Sequence, residues 1–518
     1  MDGSAAAPPQ ARDLPALLDD LRDAVGAEHV ISDDFGLSAY ADPYSPLPPG
    51  QGMFRAAAAV RPACVEEVQA VMRIAARHRW PAWPVSTGKN LAYGGPCPGA
   101  AGALVLDLGR MDRVLEVSAK FGYCVVEPGC SYFDLHKFLS GQYPDLWPSV
   151  PEMGWGGPVG NTAERGNGYL ATPYSDHFAS HCGLEAVLAD GSVVRTGTGA
   201  LPGSTTWQLH PYGFGPYLDG LFTGSNFGVI TKLGVWLMPR PECCRPFMIT
   251  FPREEDIGPV TDIVRRLRLA GVLQNAPAIR SLLLEAAGCG ATRDQYAPGS
   301  GPLPPAARRQ IAADHGIGEW NLYAAQYGSQ AVIDALLAEI RAAAGEIPDA
   351  RWYFEGDRPP GSTLEHRARR MRGIPGLEDL KLLDWAGPGG AHLNVSLVCP
   401  AAGPDVMAQY RLARSICREH DLDLLSDIIG AGRSVTHIIT LVFDREDAAG
   451  KRRCLEAAGR LVTAMADRGW PVYRTHLALM AQVAGTFSWG DHALMRLARR
   501  IKDAVDPGHI LAPGRNGI

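Results

Sequence analysis

A short polar loop of the 518-residue chain carries residue types that could bind an anion. Its small residues and side-chain donors are Ser86, Thr87, Gly88, Lys89 and Asn90. Consecutive backbone N–H groups of such a loop can converge on a negative charge. A Walker A loop is excluded, because the glycine that this motif needs five residues before Gly88 is Trp83. From the residues alone, an anion site and an ordinary turn both stay open.

Tyr473 and Arg474 place a hydroxyl group next to a permanent cation. Such a pair could hold a carboxylate or a phenolate, because guanidinium and hydroxyl groups donate strong hydrogen bonds to anions. Dipeptides of this kind are also typical of surfaces and salt bridges. Spacing alone therefore does not decide between an anion site and a structural pair.

A glycine cluster, Gly154, Gly156, Gly157 and Gly160, does not form a dinucleotide-binding fingerprint. The Rossmann motif requires G-x-G-x-x-G leading directly into a helix. Here Pro158 interrupts the segment and the third spacing is wrong. The cluster argues against NAD binding in the usual fold, although its glycines permit close approach of the backbone to a flat or phosphorylated ligand.

His177 and His181 are four residues apart, a spacing that could present two metal ligands on one helix face. Phe178 occupies the position of the glutamate found in metalloprotease helices, and the sequence offers no third ligand. We therefore interpret the two histidines as a structural pair.

Composition narrows the class of protein. Lys and Arg number 49 against 55 Asp and Glu, a net charge of −6, so the chain has no basic surface for nucleic acid or anionic membranes. Its 11 cysteines contain no CxxC pair, which indicates reduced thiols. The Ala/Pro-rich residues 1–15 lack the order of a signal peptide, and no apolar run approaches the ~18 residues of a membrane span. These features predict a soluble, cytoplasmic protein.

The order of elements around the anion loop predicts an α/β arrangement. An apolar strand at 56–60, an amphipathic helix at 65–78 and a strand at 82–85 lead directly into the loop. Asp190 and Gly191 separate two further apolar runs and predict a hairpin turn.

Composition changes after Pro239, where a strand at 247–251 and helices at 257–269, 330–344 and 408–420 are expected. The mixture predicts a second, α+β domain over residues 240–469. The remaining segment contains an expected helix at 492–505.

Six segments of the chain, in order, carry a resemblance to one known family: WPVSTGKNLAYGG, YCVVEPGCSYFDL, VGNTAERGNGY, PYGFGPYLDGLF, VYRTH and AVDPGHILAPGR. The chain resembles the vanillyl-alcohol oxidase and para-cresol methylhydroxylase family of flavoproteins, and within it the eugenol oxidase branch. The similarity spans about residues 83–239 and 382–518. It implies an α+β fold in which residues 1–239 and 470–518 form a two-part FAD-binding domain and residues 240–469 form an inserted cap domain.

By this resemblance, residues 86–90 would cradle the FAD pyrophosphate. The rest of the FAD envelope would include Pro151, Gly160, Asn161, Thr162, Glu164, Arg165, Gly166, Val229 and Arg515. His392 resembles the histidine that tethers FAD covalently in the oxidases. Leu383 stands where the para-cresol enzymes have their tethering tyrosine, so tyrosyl linkage is excluded there. A noncovalent FAD beside a packed histidine is the alternative.

The resemblance also implies that Tyr93, Tyr473 and Arg474 bind a substrate phenolate. A free phenol has a pKa of about 10, so a buried guanidinium and two hydroxyl donors are needed to favour its anion at neutral pH. Hydride could then leave the benzylic carbon for flavin N5 and generate a para-quinone methide. Glu152 replaces the family's aspartate near N5 and could transfer a proton. Asp427 replaces a glutamine or glutamate and could direct water, with a salt bridge as the alternative.

We therefore expect FAD-dependent oxidation of para-substituted phenols, such as vanillyl alcohol, eugenol or a 4-alkylphenol, with oxygen reduced to hydrogen peroxide. One alternative passes the electrons to a cytochrome; another is a flavin- or ligand-binding protein without turnover. Pro96 and Thr436-His437 depart from the family pattern and leave the substrate side chain open. The family further implies a homodimer or a higher homo-oligomer.

Overall fold

The computed structural model of the protein describes residues 13–47, 55–299 and 301–518. Apart from its last three residues, the predicted irregular segment 1–15 lies outside these ranges.

The first region is built from short strands and helices. Its strands are β1 (Val30–Ile31), β2 (Ala58–Val60), β3 (Ala82–Val85), β4 (Leu104–Asp107), β5 (Val114–Ser118), β6 (Tyr123–Val126), β7 (Leu146–Trp147), β8 (His181–Val187), β9 (Val193–Arg195), β10 (Val229–Trp236) and β11 (Met238–Pro239). Its α-helices are α1 (Leu14–Val25), α2 (Asp34–Ser38), α3 (Val65–Arg77), α4 (Tyr132–Gln142) and α5 (Pro158–Ala163). Within the described residues, the strands pair in the orders β1-β2-β4-β3, β5-β6-β10-β8-β9 and β11-β7.

The second region is dominated by one large sheet. Its strands are β12 (Cys243–Phe251), β13 (Ala278–Ser281), β14 (Trp320–Gly328), β15 (Arg351–Phe354), β16 (Gly390–Pro400), β17 (Leu425–Gly430), β18 (Ser434–Asp444) and β19 (Val472–Thr475). The helices are α6 (Ile257–Leu269), α7 (Leu282–Gly288), α8 (Pro305–His315), α9 (Gln330–Ala344), α10 (Thr363–Arg370), α11 (Gly403–Glu419), α12 (Ala448–Ala466), α13 (Met480–Thr486) and α14 (Trp489–Val505). The strand order of this described sheet is β15-β12-β14-β13-β17-β18-β16-β19.

The predicted α+β class is confirmed, and most predicted elements are present. The amphipathic helix is α3, whose buried residues Val68, Val71, Met72 and Ala75 recur at helical spacing. The predicted hairpin joins β8 to β9, and Gly191 takes a φ of +82° at the turn.

The C-terminal segment returns to the first region, as a two-part domain requires. The Ala82 N–H donates to the Ile510 carbonyl at 2.7 Å, and the Ala512 N–H donates to the Ala82 carbonyl at 2.8 Å. The C-terminal residues therefore pair alongside the edge strand β3. The predicted boundaries remain a prediction. The strand β19 lies beyond the second boundary, at 469, and yet pairs with β16 of the large sheet.

The glycine-rich segment around residue 158 contains a helix that its irregular sequence did not predict. The six-residue helix α5 begins at Pro158, whose ring presets the backbone angle of a first helical turn.

The two histidines considered as metal ligands, His177 and His181, do not share a helix face, because His177 lies in a loop and His181 begins β8. No metal-binding cluster of His, Cys, Asp and Glu occurs among the described residues.

The two faces of strand β16 in the large sheet differ: one packs into the core and the other carries polar side chains. On β16, Leu393, Val395 and Leu397 are fully buried in the main hydrophobic core, beside α11 and α12. The residues that alternate with them, His392, Asn394 and Ser396, point to the opposite face, because successive side chains of a strand alternate. That opposite face carries the polar groups described next.

Candidate active site

The predicted anion loop lines a cavity, called here the cofactor cavity. It follows β3 directly, and all five of its residues line the cavity together with Gly157, Gly160 and Arg515. A side chain at Gly157 would meet the Cys130 carbonyl at 2.5 Å, and one at Gly160 would meet Ser86 Oγ at 2.4 Å. Both positions must be glycine for α5 to pack this closely against the loop.

A partly buried carboxylate of the cofactor cavity, Glu164, lies beside two arginines. Glu164 accepts from Arg515 Nη2, and its Oε2 lies 3.5 Å from Arg474 Nε. Burial raises the pKa of Glu164, but the charges of Arg515 and Arg474 outweigh it, and the net pKa is lowered. Glu164 is thus an anion that aligns two cations, and the Nε atoms of both arginines have no hydrogen-bond partner among the described residues.

The other residues expected around FAD are distributed unevenly. Pro151 and Gly166 line the second cavity, while Asn161 lines both cavities. The structure does not bring Thr162, Arg165 or Val229 into the described walls of either one. Thr162 instead donates to the His177 carbonyl, Arg165 is exposed, and Val229 is buried in a hydrophobic cluster.

The second cavity, called here the substrate cavity, contains the predicted phenolate clamp. Tyr93, Tyr473 and Arg474 all line it. The Arg474 guanidinium stacks on the Tyr93 ring at 4.0 Å and donates to Asn90 Oδ1. Tyr93 shares a hydrogen bond of 2.8 Å with Ser396. Burial raises the pKa of Tyr473, so its hydroxyl stays protonated and can donate at neutral pH.

The register of the large sheet explains why distant residues meet in this cavity. Arg280, Asp427, Ile438, Ser396 and Arg474 are successive cross-strand partners on β13, β17, β18, β16 and β19. Paired residues on antiparallel strands point to the same face. With strands about 4.8 Å apart, Arg474 and Asp427 are separated by three spacings, about 14 Å. Every residue of this row except Ser396 lines the substrate cavity, with the Arg474 cation at one end of the row.

His392 also lines the substrate cavity, and its Nδ1 is buried without a hydrogen-bond partner among the described residues. Its ring packs against Tyr44 with centroids 5.4 Å apart. Burial lowers the pKa of His392 to about 4, so the imidazole is neutral at physiological pH. A neutral imidazole with a free nitrogen can act as a nucleophile.

Glu152 belongs to a buried ionic cluster. Its Oε1 accepts from Arg367 Nη1 at 2.8 Å and from the Tyr169 hydroxyl at 2.8 Å. Arg367 also donates from Nη2 to Asp379 Oδ1 at 2.7 Å. Although burial raises the pKa of Glu152, the charges of Arg367 and Arg280 lower it to about 2. Glu152 is therefore a firmly ionised carboxylate.

Asp427 contrasts with Glu152 in the same cavity. It is 5% exposed, and its Oδ1 has no hydrogen-bond partner among the described residues. Burial and the nearby charge of Glu152 raise the pKa of Asp427 to about 7. The salt-bridge alternative for Asp427 finds no support in the described ion pairs, and its carboxyl group can exchange a proton near neutral pH.

Sequence analysis missed three charged residues of this cluster: Arg280, Arg367 and Asp379. Arg280 could have been noticed, because it is a charged residue inside the apolar strand β13. It lies 3.5 Å from Asp379. Arg367 is one of three arginines in the eight residues of α10, and no sequence signal distinguishes the buried Arg367 and Arg370 from the third.

The residues present fit FAD. The cofactor cavity offers a donor-rich loop and a buried guanidinium, and it shares Lys89, Asn90, Gly156, Asn161 and Arg474 with the substrate cavity. A flat ring can therefore reach from one cavity into the other.

None of the helices in the described part of the chain has both the length and the apolar character of a membrane span.

Comparison with known proteins agrees with this geometry. Residues 56–197 match the family model described as an FAD binding domain. Over 462 residues the chain is 36% identical to the 4-cresol dehydrogenase (hydroxylating) flavoprotein subunit of Pseudomonas putida, with 89% of this chain and 88% of the relative covered.

Two solved structures share the fold over nearly the whole chain. A p-cresol methylhydroxylase with bound substrate aligns with a TM-score of 0.95 and 33% identity over 99% of both chains. A 4-ethylphenol oxidase from Gulosibacter chungangensis, in complex with isoeugenol, aligns with a TM-score of 0.95 and 35% identity, also over 99% of both chains.

Proposed function

The chain belongs to the vanillyl-alcohol oxidase and para-cresol methylhydroxylase family of FAD-dependent oxidoreductases that act on para-substituted phenols, and from this premise we propose that it is a 4-phenol oxidase. The proposed substrates are 4-alkylphenols and phenols of the vanillyl alcohol or eugenol type. Dioxygen is the proposed electron acceptor, and hydrogen peroxide is its product.

One observation carries the proposal: the partly buried cation of Arg474 and the hydroxyls of Tyr93 and Tyr473 face the same cavity as the histidine and the carboxyl groups described above. Tyr93, Tyr473 and Arg474 would receive the phenol oxygen. A buried guanidinium stabilises an anion strongly where little water screens it. The clamp would hence lower the pKa of the bound phenol and hold it as phenolate.

Ionisation of the phenol prepares the para carbon for oxidation. The phenolate oxygen pushes electron density through the ring, so that hydride departs from the benzylic carbon and leaves a neutral para-quinone methide. The residues of the cofactor cavity would hold FAD, which would supply the two-electron oxidation by taking up that hydride. Arg474 and the tyrosines fix the distance between the phenol oxygen and the reacting carbon, and thereby the orientation of the substrate.

Two of the three carboxylates in the described walls of the substrate cavity, Glu152 and Asp427, would act in the later steps. Ionised Glu152, held by Arg367, stabilises positive charge that develops beside the reacting carbon. Asp427, with a pKa of about 7, would remove one proton from a water molecule as the water oxygen bonds to the benzylic carbon. The ring oxygen becomes a phenolate again and takes up a proton when the alcohol product leaves. Loss of a proton from the carbon next to the benzylic carbon, which the quinone methide oxygen takes up, would instead give an alkene.

The covalent tether is part of this proposal. We expect His392→Ala to leave FAD bound but extractable, because the unpartnered Nδ1 is the nucleophile that the tether needs. The measurement is the flavin content of the pellet after acid precipitation, in parallel for both proteins. Covalent flavin that persists in His392→Ala would contradict the assignment. His437→Ala is the control, since His437 is a fully buried histidine that lies outside the described cavity walls.

Anaerobic mixing with a panel of para-substituted phenols tests the function directly. Flavin absorbance should bleach with at least one phenol whose para carbon carries a benzylic hydrogen. A matched phenol without a benzylic hydrogen, such as 4-tert-butylphenol, should bind without bleaching. Absence of bleaching across the panel, in protein that contains FAD, would refute phenol oxidation.

Admission of air to the reduced protein decides the acceptor. Rapid reoxidation with one peroxide formed per phenol consumed is the expected result. The Pseudomonas putida relative is named a dehydrogenase, which makes an external electron carrier the second candidate. Slow reoxidation by air together with fast reoxidation by an artificial one-electron acceptor would favour that candidate. Homodimer formation and a cytoplasmic location remain predictions.

A further inference from the structure

His177, which the sequence analysis interpreted as a structural residue, lies at the centre of a buried hydrogen-bond network. Its Nδ1 lies 2.8 Å from Asn161 Oδ1 and 3.2 Å from the Tyr132 hydroxyl, and its Nε2 lies 3.1 Å from Ser149 Oγ. The residue is only 4% exposed. Burial lowers the pKa of His177 to about 3, so the ring is neutral and carries a single proton.

The partners determine which nitrogen carries that proton. Asn161 Oδ1 can only accept, so a contact of 2.8 Å requires the proton on His177 Nδ1. His177 Nε2 is then the acceptor, and the Ser149 hydroxyl donates to it. This assignment satisfies both ring nitrogens, as expected for a buried histidine.

Two glycines leave the space that this network occupies. A side chain at Gly168 would lie 2.2 Å from Ser149 Oγ and 2.6 Å from His177 Nε2. A side chain at Gly166 would lie 1.8 Å from Asn161 Oδ1. Any other residue at these two positions would therefore displace side chains of the network.

The network fixes the direction of the Asn161 carboxamide. With its oxygen engaged by His177, the amide nitrogen Nδ2 is turned away, and it has no hydrogen-bond partner within the described part of the chain. Asn161 lines both the cofactor and the substrate cavity. Its free N–H donors are thus available where the two cavities join.

We propose that His177 is a positioning residue: its Nδ1–H holds Asn161 so that the amide Nδ2 donates a hydrogen bond to the ring system of FAD at the junction of the two cavities. The inference rests on FAD binding, not on the identity of the phenol. A donor to the ring stabilises the electron-rich reduced form more than the oxidised form, so loss of the donor should lower the reduction potential.

The test compares purified holoproteins by the visible spectrum of the bound flavin and by its reduction potential, with no phenol present. Asn161→Leu removes the donor, and His177→Leu removes its support. Each should change the ratio of reduced to oxidised flavin at a fixed potential about tenfold, which for a two-electron couple is about 30 mV. The double variant should shift no further than Asn161→Leu, because both changes act on one hydrogen bond.

His177→Asn is the conservative rescue, since an asparagine amide can donate from nearly the place of Nδ1. It should keep the wild-type spectrum and potential. His437→Leu removes another neutral, buried histidine with two hydrogen bonds and should leave the potential unchanged.

Three results would overturn the proposal: Asn161→Leu with wild-type spectrum and potential, His177→Asn with the full shift, or additive shifts in the double variant. If His177→Leu fails to retain FAD, the Asn161→Leu and His177→Asn proteins still decide the question.

Discussion

Arg474→Ala should reduce kcat/KM for para-substituted phenols by about 10³-fold while FAD remains bound. The substitution removes the cation that would pair with the substrate phenolate. Loss of one partner of a buried charge pair costs about 3–5 kcal/mol, and each 1.36 kcal/mol is a factor of ten in rate. The substrate would also have to ionise with its free pKa of about 10. We therefore expect the remaining activity of Arg474→Ala to rise towards alkaline pH. Stopped-flow flavin bleaching from pH 6 to pH 10 measures both effects.

Two further variants separate charge from geometry and from stability. Arg474→Lys keeps the cation but loses the planar fork that stacks on Tyr93, so it should recover part of the activity. Arg293→Ala removes an arginine that is paired with Asp423, outside the described walls of both cavities, and should leave phenol kinetics unchanged. Wild-type kcat/KM in an FAD-loaded Arg474→Ala protein would refute the clamp.

Much of the fold could be predicted from the sequence because local patterns determine it. Apolar residues at helical spacing predict helix α3, and Asp190 and Gly191 predict the β8–β9 hairpin. The strand β16 alternates apolar and polar residues, which separates its core face from its cavity face. The short helix α5 was missed, since its six residues contain a proline and a glycine and depend on tertiary packing.

The site was less accessible to sequence reasoning, because its chemistry depends on long-range register. No spacing rule relates Arg280 to Asp427, 147 positions later, yet they are cross-strand partners on β13 and β17. The resemblance supplied the clamp residues, since they follow a motif. It could not supply protonation states: Glu152 and Asp427 are both acidic side chains, and only their neighbours give them opposite pKa shifts.

Glu152 and Asp427 have different hydrogen-bond partners, which explains why their pKa values shift in opposite directions. Arg367 donates to both Glu152 and Asp379, which leaves Asp427 without a donated hydrogen bond on Oδ1. The cluster can hold only as much negative charge as its arginines balance, because buried like charges disfavour a second ionisation. Burial is the largest influence on Asp427, and the adjacent Glu152 carboxylate adds to it. Such a pair titrates as a unit, with an apparent pKa near 7 at the Asp427 end.

Asp427→Asn should slow product formation by about 10²–10⁴-fold, the usual contribution of a general base. In the wild-type protein the step should accelerate as pH rises through about 7, since the carboxylate form is the one that accepts a proton. In Asp427→Asn that rise should vanish, while anaerobic flavin bleaching keeps most of its rate because it precedes water addition. The readout is the pH dependence of alcohol formation, measured by chromatography.

Stability supplies an independent check on the same carboxyl group. Because the folded-state pKa of Asp427 is raised above its unfolded value of about 3.9, its contribution to stability is complete below about pH 4 and is lost as pH rises through about 7. The neutral side chain of Asp427→Asn avoids this loss. The free energy of unfolding of the variant should therefore gain on that of the wild type between about pH 4 and pH 7, by at most about 4 kcal/mol. Asp423→Asn is the matched control, a buried aspartate with a raised pKa outside the described walls of both cavities. It should leave the pH dependence of alcohol formation intact, and a flat wild-type profile would remove Asp427 from the role of base.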